Sequence, residues 1–90
     1  MDTDIKAFTE GYIFAVLESC NLVKQVDYKI FLKNNGCLDR IELRPFENVK
    51  EELNFENIVA LKNRIIYSVY GELWEFGLYI DIKNKMFVIK

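Results

Sequence analysis

Few side chains in this chain belong to types that do chemistry, and one of the commonest is missing. There is no histidine, which removes the usual general base and the usual metal ligand. A cysteine–histidine nucleophile and a serine triad are both ruled out for the same reason. Cys20 and Cys37 do not form a CxxC pair, and two thiols without histidine are too few for a tetrahedral zinc site. Acidic residues supply the remaining candidates. Glu51-Glu52, or Glu72 with Glu75, could pair as carboxylates, but solvated glutamate is the ordinary state of such residues. No GxxxxGK[ST] or GxGxxG segment offers a phosphate cradle. The expectation is a chain that is not an enzyme, with no cofactor and no metal.

Two groups of residues point to binding. The first is basic and aromatic: Lys29, Lys33, Arg40 and Arg44 around Phe31, a composition that suits stacking on single-stranded nucleic acid. Asp27 and Glu42 fall opposite Arg44 and Lys29 and cancel much of that field, so a salt-bridged sheet face is the favoured account. The second group is acidic: Glu47, Glu51, Glu52 and Glu56 against a single Lys50. Such a patch can steer toward a basic partner and compete with nucleic acid for it. Phe31, Arg40 and Tyr79 on an outer sheet face are of the types that dominate protein interfaces. Phe14, set opposite a helix's apolar arc, is a further anchor candidate beside its plainer reading as a covered residue.

The elements that must position these residues follow from periodicity. Val26 to Arg44 reads as two alternating runs around Asn35-Gly36, the strongest short-range hairpin signal. A two-residue type I′ turn there sets Tyr28 opposite Leu43, Ile30 opposite Ile41, Asp27 opposite Arg44, Lys29 opposite Glu42 and Phe31 opposite Arg40. It also sets Leu32 opposite Asp39, the one pair that does not match. Before the hairpin, Ile5 to about Leu22 keeps helical spacing, with Thr3 or Asp4 as cap. Its apolar arc is Ile5, Phe8, Tyr12, Ile13, Val16, Leu17 and Cys20. Gly11 within it suggests close approach of another backbone.

After Pro45 and the acidic stretch, Asn54 caps a second helix. Phe55, Ile58, Val59, Ile65, Ile66 and Val69 form its stripe, and Gly71 ends it. The β-prone run at 65–70 is the weak point of that assignment. Trp74, Phe76, Leu78, Ile80 and Ile82 then alternate as a half-buried strand. A turn of two residues at Asn84-Lys85, or of three, leads into Met86 to Ile89. Met86 to Lys90, short and apolar, is read as a candidate edge strand.

The predicted fold is α+β: a four-stranded antiparallel sheet with two helices on one face, in the order α-β-β-α-β-β. Ninety residues, 51% of them hydrophobic, make a single domain from 1 to 90 with enough core to stand without staples. The net charge of −2 argues against a strongly basic nucleic-acid binder. Met1-Asp2-Thr3-Asp4 is acidic where an export signal is basic, so a cytoplasmic chain with free thiols is expected.

The functional expectation is a small acidic protein-binding module without catalysis. Its concrete form is an inhibitor or immunity-type protein, such as a viral or mobile-element antagonist of a nucleic-acid-binding host-defence enzyme. The alternatives are a nucleic-acid binder using the first hairpin's outer face, and a structural homodimer.

Overall fold

The computed structural model describes residues 2–48, 55–70 and 76–90. The element order is α1 (Asp2–Glu18), β1 (Tyr28–Leu32), β2 (Leu38–Pro45), a 3-10 turn (Phe46–Asn48), α2 (Phe55–Tyr70), β3 (Leu78–Asp81) and β4 (Met86–Ile89). The four strands form one antiparallel sheet in the order β1-β2-β4-β3. This is the α+β arrangement the sequence predicts. Glu51, Glu52, Asn54, Gly71, Glu72, Trp74 and Glu75 lie outside the described residues.

α1 begins at Asp2, so Thr3 and Asp4 lie inside the helix and neither caps it. Its end is closed by a Schellman motif. Asn21 takes the left-handed conformation (φ 62°), and the amides of Asn21 and Leu22 donate to the carbonyls of Glu18 (3.0 Å) and Leu17 (3.3 Å). Leu22 and Leu17 are both buried, the apolar contact that accompanies this cap. The buried stripe of α1 is Thr9, Ile13, Val16 and Leu17. Phe8 and Tyr12, read from the sequence as part of the core arc, are 56% and 46% exposed. The inward face is rotated toward Thr9, a polar residue that the apolar count passes over.

The first hairpin keeps the expected register from Tyr28↔Leu43 through Phe31↔Arg40. Its turn is not type I′. Gly36 N–H donates to the Lys33 carbonyl (2.9 Å), Lys33 N–H donates to the Cys37 carbonyl (2.8 Å), and of the two central residues only Gly36 has positive φ (91°). That is a three-residue loop built on a type I turn with a glycine bulge. Asn35 Oδ1 accepts from Cys37 N–H (2.9 Å) and fixes the loop. A second irregularity follows, because Leu32 pairs with Leu38 while Phe31 pairs with Arg40. Asp39 is therefore the extra residue of a bulge. The mismatched Leu32–Asp39 pair does not exist, and apolar Leu38 takes its place.

The run at 65–70 is helical. α2 buries Ile58, Leu61, Ile65 and Ile66; Leu61, absent from the stripe read from the sequence, fills the turn between Ile58 and Ile65. β3 is shorter than the alternation from Trp74 to Ile82 implied, and the turn to β4 takes four residues, 82–85. Ile80 pairs with Phe87 and Leu78 with Ile89. Neither the two-residue nor the three-residue turn is present. β4 is not an edge strand either: it lies between β2 and β3. Phe87, Val88 and Ile89 are all buried, as befits a strand flanked on both sides by others. The core gathers Ile13, Leu17, Leu22, Tyr28, Leu38, Ile41, Leu43, Ile58, Leu61, Ile65, Phe87 and Ile89 between the helices and one sheet face.

Candidate protein-binding surface

α1 buries one side and leaves apolar groups on the other. Ala7, Phe8, Gly11, Tyr12, Phe14 and Ala15 are all exposed. At 100° per residue they occupy one continuous arc, on which Glu18 and, by its position in the helix, Asp4 also fall. A helix apolar on both sides is the pattern of an element covered on both sides.

The relief of this face follows from its residue sizes. Ala7, Gly11 and Ala15 recur every fourth residue and form its floor. Phe8 and Tyr12 form one wall, their rings 4.6 Å apart at 44°. Phe14 forms the other, with the Lys24 ammonium 5.8 Å from its ring centre. Lys24 is held there by an ion pair with Glu10. No heavy atom from outside the helix lies within 4 Å of where a Gly11 Cβ would stand. The close backbone approach that Gly11 suggested is thus not made by the described part of this chain. Two shallow depressions of about 350 Å³ each run along the floor. One is bounded by Phe8 and Tyr12, the other by Phe14, Glu10 and Lys24.

The other expected site residues do not gather. Phe31 and Arg40 meet on the outer sheet face, the guanidinium 3.9 Å from the ring centre. Arg40 is also spent on two carboxylates, Nε to Glu42 Oε2 at 2.9 Å and Nη1 to Asp39 Oδ2 at 2.6 Å. Those hydrogen bonds, Glu42's first, raise its already high pKa. Tyr79 lies on the far strand of the same face. Lys29, Glu42, Val88 and Tyr79 form one cross-sheet row, which puts Tyr79 roughly 14 Å from β1 at the usual strand spacing. Glu47 is exposed in the 3-10 turn and pairs with Lys85 Nζ at 2.7 Å. Glu56 is exposed in the first turn of α2. Of the six that are described, Phe14 alone belongs to the α1 surface.

Arg44, on the same hairpin, is likewise engaged. Arg44 Nη1 donates to Asp27 Oδ1 (3.3 Å), and the Arg44 amide donates to the Asp27 carbonyl (2.6 Å). Asp27, expected on the solvent face, is 3% exposed. Its Oδ2 accepts from Val23 N–H (2.8 Å). The carboxylate holds the loop between α1 and β1 closed, a structural task that strand alternation does not reveal.

Cys20 and Cys37 are free thiols. Among the described residues no three of histidine, cysteine, aspartate and glutamate are gathered as a metal site would need. No described helix is long and apolar enough to cross a membrane. Set against known proteins, the chain matches no family model, no curated protein and no solved structure at a significant level.

The residues that sequence reasoning missed here are Phe8, Tyr12, Ala7, Gly11 and Ala15. The signal was present. Too many apolar residues spread around one helix, and the small ones repeat at every fourth position.

Proposed function

We propose that this chain is a non-catalytic protein-binding module and that the outer face of α1 is its contact surface. One observation carries the reading: six neighbouring apolar or small residues, three of them aromatic, stand exposed on a helix whose opposite side is core. Phenylalanine and tyrosine set around a small-residue floor suit a partner helix or an apolar ridge. The concrete form we propose is an inhibitor or immunity-type protein. It would work by occupying the surface of a larger protein, such as a nucleic-acid-binding defence enzyme.

The test is a pull-down from source lysate with the tagged chain, with and without nuclease treatment. The tagged Phe8→Glu/Phe14→Glu variant is run beside it after circular dichroism has shown it folded. Wild type should retain the same protein in both conditions, and the variant should lose it. Equal retention by the variant moves the interface off α1. Retention that disappears with nuclease replaces this reading with nucleic-acid binding.

A further inference from the structure

The sheet has two edges, β1 and β3, and they differ. At β1 the chain turns back on itself: Gln25 N–H donates to the outward carbonyl of Tyr28 (2.9 Å), and Lys24 bridges to Tyr28. β3 has no such cover among the described residues. Gly77 and Lys90 exchange both backbone hydrogen bonds, at 2.9 and 3.3 Å. Alternation along an antiparallel ladder then directs Tyr79 and Asp81 toward β4 and turns the N–H and C=O of Leu78 and Ile80 to the free side. The side chains there are apolar and open: Ile80 is 48% exposed and Ile82 80%.

We propose that β3 pairs with β3 of a second copy, antiparallel about a twofold axis at Ile80, joining two four-stranded sheets into one. This occupant is argued from the strand's own complementarity. The register sets Ile80 against Ile80, and Leu78 against Ile82, so the exposed apolar row continues the core face across the junction. On the outer face it sets Tyr79 against Asp81 of the second copy. Lys90 Nζ already lies 5.4 Å from the Tyr79 ring centre, so the incoming carboxylate arrives beside an ammonium. Symmetry makes that contact twice. A shift by one residue would oppose outward-facing backbone groups to inward-facing ones and isoleucine to aspartate. A register centred on Tyr79 would stack two tyrosines and leave Ile82 outside.

One strand edge buries less than the roughly 1,200 Å² of a standard interface. The dimer is therefore weak, with a dissociation constant of about 10–100 µM. It uses a surface separate from α1 and does not rest on the function proposed above.

Sedimentation equilibrium from about 10 µM to about 1 mM tests it across the range where such a constant is visible. Wild type should move from monomer to dimer mass. Ile80→Pro should stay monomeric, because the lost N–H faces the free side and the β4 ladder keeps its bonds. Ile80→Lys serves the same purpose should the proline variant fail to fold. Amide hydrogen exchange supplies a second readout. Leu78 and Ile80 should gain protection with concentration, while Tyr79 and Asp81 are protected throughout. A monomer at the highest concentration overturns the proposal. So does a dimer that Ile80→Lys leaves intact, or one whose Leu78 and Ile80 amides stay unprotected.

Discussion

The β1–β2 hairpin and the β3–β4 hairpin share one sheet and one core, yet they are finished differently. In the first, glycine occupies the left-handed turn position, Asn35 secures the loop, and the bulge at Asp39 matches Leu32 with Leu38. Its buried carboxylate, Asp27, is bonded by Val23 and Arg44. In the second, a lysine occupies the left-handed position (Lys85, φ 55°), and Ile80 and Ile82 stand in solvent. Local chemistry and global fold agree along the first hairpin but for one buried hydroxyl, that of Tyr28. In the second they conflict at several neighbouring residues. Conflicts that cluster mark places where something other than folding shaped the sequence. They cluster at the open edge of the sheet.

The widest expected gap between the hairpins comes from truncating one isoleucine in each. Ile41 on β2 is fully buried between Ile30 and Ile89. Ile41→Ala should cost roughly 2–5 kcal/mol through lost transfer energy and the cavity left behind. For a domain this size that is a fall in melting temperature of more than about 10 °C. Ile80→Ala, measured at low concentration, should cost less than about 1 kcal/mol, since half of the side chain is already wet. Thermal melts of both variants check this, and equal losses would mean that β3 packs more tightly than its exposure indicates.

The first hairpin contains one flaw of its own, and pH exposes it. Tyr28 is 2% exposed, and among the described residues its hydroxyl has no hydrogen-bond partner. Burial first, and then the carboxylates of Glu18 and Glu10, push its pKa up from 10.0 to about 12. The charged phenolate is disfavoured in the fold, so this contribution is fully present below pH 10 and is lost as pH rises toward 12. By pH 12 the loss should reach about 2 kcal/mol. Tyr28→Phe should abolish that part of the alkaline decline. At neutral pH it should be neutral or stabilising by up to about 1 kcal/mol, since it removes an unpaired buried group. Urea titrations of both proteins at pH 8 and at the alkaline end separate the effects. An unchanged alkaline decline in the variant would show that Tyr28 is not its source.

How much of this could be read from the residues follows the same division. The first hairpin's register was legible because each cross-strand pair from Tyr28–Leu43 to Phe31–Arg40 is chemically matched. Its turn type was not, since Asn-Gly serves both a type I′ turn and a type I turn with a glycine bulge. Only the Leu32–Asp39 mismatch hinted at the difference. The interior place of β4 was written in Met86-Phe87-Val88-Ile89, apolar on both faces, but its position at the chain end suggested an edge. Of the candidate site, Phe14 was legible as a stray aromatic. Phe8 and Tyr12 were not, because periodicity assigns an apolar residue to a face and cannot say whether a neighbour covers that face. The buried role of Asp27 depends on the backbone of residues 23–28, which no alternation pattern encodes.

The smallest effects lie in the two turns, and there the sign itself separates the hairpins. Gly36→Ala forces a Cβ into φ 91°, and should destabilise by about 1–2 kcal/mol. Lys85→Gly removes a Cβ from the left-handed conformation and should stabilise by roughly 0.5–1 kcal/mol. The greater freedom of glycine in the unfolded chain offsets the rest of the relief. The substitution also breaks the Lys85–Glu47 ion pair. Both partners are about half exposed, and such pairs contribute little. Glu47→Gln alone should therefore change stability by less than about 0.5 kcal/mol. If Lys85→Gly proves destabilising while Glu47→Gln proves neutral, the lysine's conformation is not strained and the turn-based contrast between the hairpins fails. If both destabilise equally, the ion pair is what holds the second turn, and its left-handed lysine is retained for that contact.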